Sequence, residues 1–141
     1  MSTGANAKLI ERLNQALGWE LRALALYAHY GAYVTGIYRL HLKPFFEAES
    51  TESLTHSSVV RNAIVKLQGQ AITQRDQTEI VHTTDYRVML DEAMKTETFA
   101  AKTYKEILAM DGLDSELYDQ IEQIYFAEER SVEELHLLMN P

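Results

Sequence analysis

Proline and glycine, the two residues that most often interrupt helices, are scarce in this chain. Two prolines, Pro44 and Pro141, and six glycines occur among 141 residues. Proline lacks a backbone donor and glycine favours turns, so their scarcity predicts long uninterrupted helices. A chain of this length is typical of one compact domain, and we expect residues 1–141 to form a single domain.

Apolar residues recur at steps of three and four in four segments, which is typical of helices with one buried face. The four predicted helices run from about Ala5 to Val34, from the corner marked by Gly36 and the sequence before Pro44 to Leu67, from just after Asp85 to Met110, and from Ser115 to Met139. Gly69 and Gly112 are the expected ends of the second and third helices. The polar stretch before Asp85 predicts a long connection. The sequence thus predicts an all-α fold with two helical hairpins joined by one crossover.

Composition and charge exclude several classes of function. The net charge of -8 argues against binding to nucleic-acid phosphates and favours cationic partners. Cysteine is absent, which excludes disulfides and thiolate metal sites and fits a cytoplasmic location. No signal peptide and no apolar run long enough for a membrane span are present, so we expect no membrane partner.

Each apolar stripe is interrupted by a polar side chain at one buried position. Glu20, Glu97 and Glu128 stand there in the first, third and fourth helices, and His56 in the second. A lone histidine or glutamate in such a stripe is usually a hydrogen-bonded core residue or one that reaches water. Three converging mid-helix carboxylates would instead repel one another, and a bound cation removes that repulsion. Oxygen and imidazole ligands suit iron, manganese or zinc.

Three segments of the chain resemble bacterioferritins, members of the ferritin-like superfamily. They are "LNQALGWELRALALYAHYGAY" in the first helix, "TETFAAKTYKEI" in the third and "YFAEERSVEEL" in the fourth. The resemblance implies a ferritin-like four-helix bundle with a long crossover between the second and third helices. It also implies a centre that binds two irons and oxidises ferrous iron, in a protein that stores the ferric product.

The resemblance also implies a role for each matching residue. Glu20 and Glu97 match the glutamates that cap the irons, His56 matches one histidine, and Glu128 matches one bridging glutamate. Tyr27 matches a tyrosine beside the centre, where a redox role and ordinary core packing are equally compatible with the sequence.

Two positions depart from the bacterioferritin pattern. Ser53 stands where a bridging glutamate is expected, and Ser131 stands where the second histidine is expected. Neutral serine is a poor iron ligand, so we expect one occupied metal position and weak ferroxidase activity. Glu49 and Glu52 are candidate auxiliary ligands, and solvated or cavity-lining roles are the alternative for both.

Two further departures concern haem and assembly. Leu54 stands at the position of the haem-binding methionine, so no haem is expected. The chain stops just after the fourth helix, where shell-forming ferritins usually continue, so no fifth helix is expected. We therefore expect a homo-oligomer that is at least a dimer.

These observations leave three functions open. The first is an iron-binding and storage protein with an altered ferroxidase site. The second is a structural or partner bundle whose buried acids are a relic. The third is a protective protein of the miniferritin type, although the miniferritin centre would leave Glu97 and Glu128 without a role.

Overall fold

Four helices make up the described part of the chain, residues 4–140, in the computed structural model. They are α1 (Gly4–Tyr33), α2 (Arg39–Lys66), α3 (Tyr86–Leu108) and α4 (Ser115–Met139). Over the same residues there is no strand, and none of the helices has an apolar stretch sufficient to cross a membrane. The predicted all-α four-helix fold is confirmed.

Hydrogen bonds between α1 and α3 show how these two helices run. The Tyr27 hydroxyl of α1 donates to Glu97 of α3, and the Tyr104 hydroxyl of α3 donates to Glu20 of α1. The later residue of α1 therefore pairs with the earlier residue of α3, which makes the two helices antiparallel. The short connections within the α1–α2 and α3–α4 hairpins make those pairs antiparallel too.

The connection between α2 and α3, residues 67–85, runs along α1 for most of its length. Three α1 residues and one residue just beyond the helix bond, in chain order, to later and later residues of the connection. The pairs are Asn14 with Gln70 and Ile72, Gly18 with Asp76, Tyr30 with Val81, and Thr35 with Thr84. Both segments therefore run in the same direction, and the connection crosses from one end of the bundle to the other. The predicted crossover is confirmed.

Arg22 of α1 is the main buried anchor of this crossover. Its guanidinium donates to the Thr78 carbonyl at 3.1 Å, to the Glu79 carbonyl at 2.8 Å, and to the Thr96 hydroxyl of α3. Burial lowers the pKa of Arg22, and the neighbouring charge of Glu92 partly opposes that shift. One side chain thus connects α1, the crossover and α3, a role that the sequence did not reveal.

The second helix begins at Arg39, within the corner predicted between Gly36 and Pro44. Gly36 has a φ of +85°, and the next turn closes with the bond from the Arg39 amide to the Gly36 carbonyl at 3.1 Å. The chain therefore enters the helix directly after a left-handed glycine. Pro44 lies in the second turn, where it removes one helical hydrogen bond without ending the helix.

The end of α2 differs from the prediction in which residue adopts the left-handed conformation. The helix ends at Lys66, and the left-handed residue beyond it is Gln68 (φ 64°), not Gly69. Gly69 is needed for space, since a Cβ atom there would lie 2.8 Å from Cγ2 of Ile10. Gly112 after α3 does adopt a left-handed conformation, with a φ of +96°.

Two apolar clusters fill the interior of the bundle. The first includes Leu13, Leu17, Ile64, Tyr104 and Ile121, and the second includes Leu26, Tyr30, Phe46, Met89 and Leu135. Buried polar side chains from all four helices interrupt this core: Glu20, Ser53, His56, Glu97, Glu128 and Ser131. The fold thus holds a polar centre within a helical bundle.

Candidate metal centre

Three side chains from three different helices converge in the bundle interior. The Nδ1 atom of His56 lies 3.3 Å from Oε2 of Glu20 and 3.1 Å from Oε1 of Glu128. One ligand atom from each of the three residues lies within 4.8 Å of the other two. Ligands bound at about 2.0–2.2 Å from one ion are typically separated by roughly 3–4 Å, so the cluster has the dimensions of a metal site.

Glu97, the fourth predicted ligand, is buried beside this cluster. Its Oε1 atom accepts a hydrogen bond of 3.1 Å from the Tyr27 hydroxyl. The charges of Glu20 and Glu97 both act on Glu128, so Glu97 borders the same polar centre. The structure thus brings three predicted ligands together and sets the fourth next to them.

Tyr104 is a member of the centre that the sequence analysis did not identify. Its hydroxyl donates a hydrogen bond of 2.6 Å to Oε2 of Glu20. A signal was present, because Tyr27 follows Glu20 by seven residues and Tyr104 follows Glu97 by seven. A separation of seven residues keeps two side chains on one helix face, so each helix presents a carboxylate and a phenol.

Burial raises the pKa of two carboxyl groups at the centre, those of Glu97 and Glu128. It raises the pKa of Glu97 to about 7, with the charge of Glu20 adding to the effect while hydrogen bonds with Glu128 and Tyr27 oppose it. Burial, followed by the charges of Glu20 and Glu97, raises the pKa of Glu128 well above its usual range. A divalent cation would replace these protons and relieve the repulsion between the carboxylates.

His56 responds to its neighbours in the opposite sense. Burial lowers the pKa of the imidazole, but the hydrogen bond and the charge of Glu20, helped by Glu52 and Glu97, outweigh that effect and raise the pKa overall. Without a cation, the neighbouring carboxylates therefore favour the protonated form of the imidazole. With a cation, the same Nδ1 atom is free to act as a neutral ligand.

One oxygen of the centre lacks a partner. Oε2 of Glu128 is buried and has no hydrogen-bond partner within residues 4–140. A buried carboxylate oxygen without a donor is costly, so this atom fits a site that binds a cation.

The two candidate auxiliary residues lie at different depths. Oε2 of Glu49 accepts a hydrogen bond of 3.2 Å from the buried Ser131 hydroxyl. Glu52 lies nearer the surface, with its Oε1 atom 3.8 Å from Nε2 of His56 and 42% of its side chain exposed. Glu49 therefore faces the centre, whereas Glu52 stands on the outer side of His56.

A groove between α2 and α4 leads from the surface to His56. Its volume is about 530 Å³, and its lining includes His56, Thr55, Gln123 and Arg130. The groove offers a small ion a route to the outer edge of the centre.

A family model for the ferritin-like domain matches residues 10–140 of the chain. The chain belongs to the ferritin-like family. A solved structure described as a ferritin-like, diiron-carboxylate protein from Bacillus anthracis str. Ames is similar over 98% of this chain and 99% of that one, with 32% identity and a TM-score of 0.89. No curated protein matches this ferritin-like chain.

Two more distant structures share the fold alone. The bacterioferritin-related protein of Bacteroides fragilis, described as a dodecameric thioferritin, has 24% identity and a TM-score of 0.85 over 93% of this chain and 83% of that one. The DPS protein of Vibrio cholerae O1 has 16% identity and a TM-score of 0.89 over 96% and 91% of the two chains. The ferritin-like resemblance and four-helix bundle predicted from the sequence are confirmed.

Proposed function

We propose that this ferritin-like protein binds ferrous iron at Glu20, His56 and Glu128 and serves in iron binding and storage. The observation that carries the proposal is the convergence of one imidazole nitrogen and two carboxylate oxygens in the bundle interior. The name of the Bacillus anthracis relative, a diiron-carboxylate protein, supports iron as the metal. Manganese and zinc suit the same ligands.

Each residue of the proposed site has a distinct task. Glu20 and Glu128 supply negative charge that offsets a divalent cation, and His56 supplies a neutral nitrogen through Nδ1. Tyr104 orients Glu20 through the 2.6 Å hydrogen bond, as outer-shell donors do at metal sites. Burial and then the charge of Glu20 raise the pKa of Tyr104 well above its usual range, so the phenol keeps the proton it donates.

Ferroxidase activity, if it is retained, is expected to be weak. Ferrous iron is oxidised by giving electrons to dioxygen, and a fast reaction requires the protein to hold the iron ions close together. Ser53 and Ser131 are buried but uncharged, so neither hydroxyl replaces a carboxylate or an imidazole. Tyr27 is a candidate redox neighbour because its hydroxyl contacts Glu97 within the same centre.

We also propose that the protein is a homo-oligomer of at least two chains. The Bacteroides fragilis relative is described as dodecameric, which supports assembly for this fold. Large apolar side chains such as Leu54 (53% exposed) and Phe126 (49% exposed) lie on the outer faces of α2 and α4. The single-domain organisation, the cytoplasmic location and the absence of haem stay predictions.

Anaerobic equilibrium titration with Mn²⁺ or Fe²⁺ tests the proposed site. The variant His56→Gln removes the imidazole ligand, and His41→Gln, an exposed histidine of the same helix, is the matched control. We expect His56→Gln to weaken the binding of one equivalent at least tenfold and His41→Gln to leave it unchanged. Wild-type protein that binds neither metal would support the alternative of a structural bundle with relic acids.

A further inference from the structure

We propose that His29 and His82 form a surface site for a divalent transition-metal ion such as Zn²⁺ or Cu²⁺, and that the bound ion fastens the crossover to α1. His29 lies near the end of α1, and His82 lies in the connection between α2 and α3. The site shares no residue with the candidate metal centre, so the inference does not rest on the proposed function.

The two imidazoles face each other through their ring nitrogens. Nε2 of His29 lies 2.9 Å from Nδ1 of His82. Two nitrogens bound to one Zn²⁺ at about 2.0–2.1 Å, with an angle of about 90–109° between them, are separated by roughly 2.8–3.4 Å. The pair therefore has the spacing of two ligands of one metal ion. The ring that donates the hydrogen bond only has to carry its proton on its other nitrogen.

Neighbouring contacts hold both rings in place. The Tyr30 hydroxyl donates a hydrogen bond of 2.7 Å to the Val81 carbonyl. This bond joins the residues next to His29 and His82, so it sets the distance between the two backbones. The ring of Tyr33, one helical turn after His29, packs with its centroid 4.6 Å from that of each imidazole. The pair is therefore ordered before an ion binds, which lowers the entropy cost of binding.

The pair faces away from the candidate metal centre. His29 follows Glu20 by nine residues, a rotation of about 180° on an α-helix, so the two side chains leave α1 on opposite sides. His82 is exposed and His29 is half-buried. An ion therefore reaches the pair directly from solvent, without passing through the bundle.

The ligand set determines which ions bind. Within residues 4–140 the ion pairs of histidine all belong to His56, so no carboxylate adjoins His29 or His82. Imidazole suits Zn²⁺, Cu²⁺ and Ni²⁺, whereas Mn²⁺ and Mg²⁺ favour oxygen ligands. With two imidazoles from the protein and water as the remaining ligands, we expect the pair to bind Zn²⁺ and Cu²⁺ at concentrations at which it does not bind Mn²⁺.

An ion at this pair would hold the second half of the crossover against α1. Arg22 anchors the middle of the crossover through two backbone carbonyls. Further along, the Tyr30 and Thr35 hydroxyls each donate one hydrogen bond to it. A bridging ion adds two metal–nitrogen bonds that are lost whenever the segment opens, so it should slow the hydrogen exchange of backbone amides in residues 80–84.

Calorimetric titration with Zn²⁺, combined with hydrogen–deuterium exchange measured by mass spectrometry, tests the inference. We expect one equivalent of Zn²⁺ in the wild type to be weakened at least tenfold by His29→Gln and by His82→Gln. The matched control is His41→Gln, an exposed histidine of α2, which should bind as the wild type does. Zn²⁺ should slow exchange in residues 80–84 of the wild type and of His41→Gln but not of His82→Gln, whereas Mn²⁺ should have no effect there.

The outcomes separate this inference from the proposed function. An equivalent of Zn²⁺ that His29→Gln removes and His56→Gln retains would support the surface site, whatever happens at the centre. Binding that His56→Gln removes and both surface variants retain would overturn the surface site and leave the proposed function intact. Protection of residues 80–84 by Zn²⁺ that persists in His82→Gln would also overturn it. Thermal melts check that the surface variants are folded, as expected for replacements at the surface.

Discussion

Replacement of Glu97 by glutamine should stabilise the metal-free protein at high pH. The pKa of Glu97 rises from 4.5 to about 7, chiefly because the carboxylate is buried. Since a tenfold change in an equilibrium constant corresponds to about 1.4 kcal/mol, an ionised Glu97 costs the folded state roughly 3 kcal/mol relative to the unfolded chain. Glutamine cannot ionise, and its amide oxygen can still accept the Tyr27 hydrogen bond.

The direction of the Glu97 pKa shift determines how the stability of the folded protein changes with pH. Between pH 4.5 and about 7 the folded state retains a proton that the unfolded chain has lost, so the stability of the wild type falls as pH rises through this window. The Glu97→Gln variant does not lose stability in this way, because glutamine does not ionise. Its free energy of unfolding should equal that of wild type near pH 5 and exceed it by roughly 2–3 kcal/mol at pH 8.

Urea denaturation in the presence of EDTA, at pH 5, 6, 7 and 8, measures this difference. Glu133→Gln, an exposed glutamate on α4, serves as the control and should follow the wild-type curve. A Glu97→Gln variant that is less stable than wild type at pH 8, or a difference that does not change with pH, would refute the reasoning.

Three other changes give separate tests. Replacing Ser53 by Glu and Ser131 by His together should speed the oxidation of ferrous iron by dioxygen, which is followed as ferric absorbance after an oxygen pulse. An unchanged rate would contradict the view that these serines weaken the centre. Arg22→Met should lower the free energy of unfolding by roughly 2–4 kcal/mol, because hydrogen bonds from a buried charged group are lost. The same change should expose residues 67–85 to proteolysis, and a crossover that stays resistant to protease would refute the anchoring role. Tyr104→Phe should lower Mn²⁺ affinity about tenfold in calorimetric titration, since Glu20 loses its hydrogen-bond donor. A variant that binds Mn²⁺ as tightly as the wild type would show that Tyr104 is not needed to orient Glu20.

The helices and the buried polar positions could be predicted because both follow from helical periodicity. Glu20, Glu97 and Glu128 interrupt apolar stripes, and the structure buries all three. The pattern gives the face of each helix but not the rotamer of a side chain. The pattern therefore did not reveal that Glu97 accepts a hydrogen bond from Tyr27, and the role of Glu97 as a metal ligand stays a prediction.

Features that depend on contacts between segments distant in sequence could not be predicted. Arg22 is a good helix former that could equally have faced solvent, and only the position of the crossover gives it the Thr78 and Glu79 carbonyls as acceptors. Glu49 was on the correct face, but its direction depends on the Ser131 hydroxyl, which belongs to α4. The first residue of α2 depends on the turn at the left-handed Gly36, so the sequence indicated a corner before Pro44 but not the residue at which the helix begins.

An anomalous-scattering map from crystals soaked anaerobically with ferrous iron tests the central claim most directly. The claim predicts a strong iron peak in the bundle interior, about 2.0–2.3 Å from Nδ1 of His56 and from one oxygen each of Glu20 and Glu128. A map without a peak among these three side chains, from crystals whose surface sites do bind iron, would contradict it.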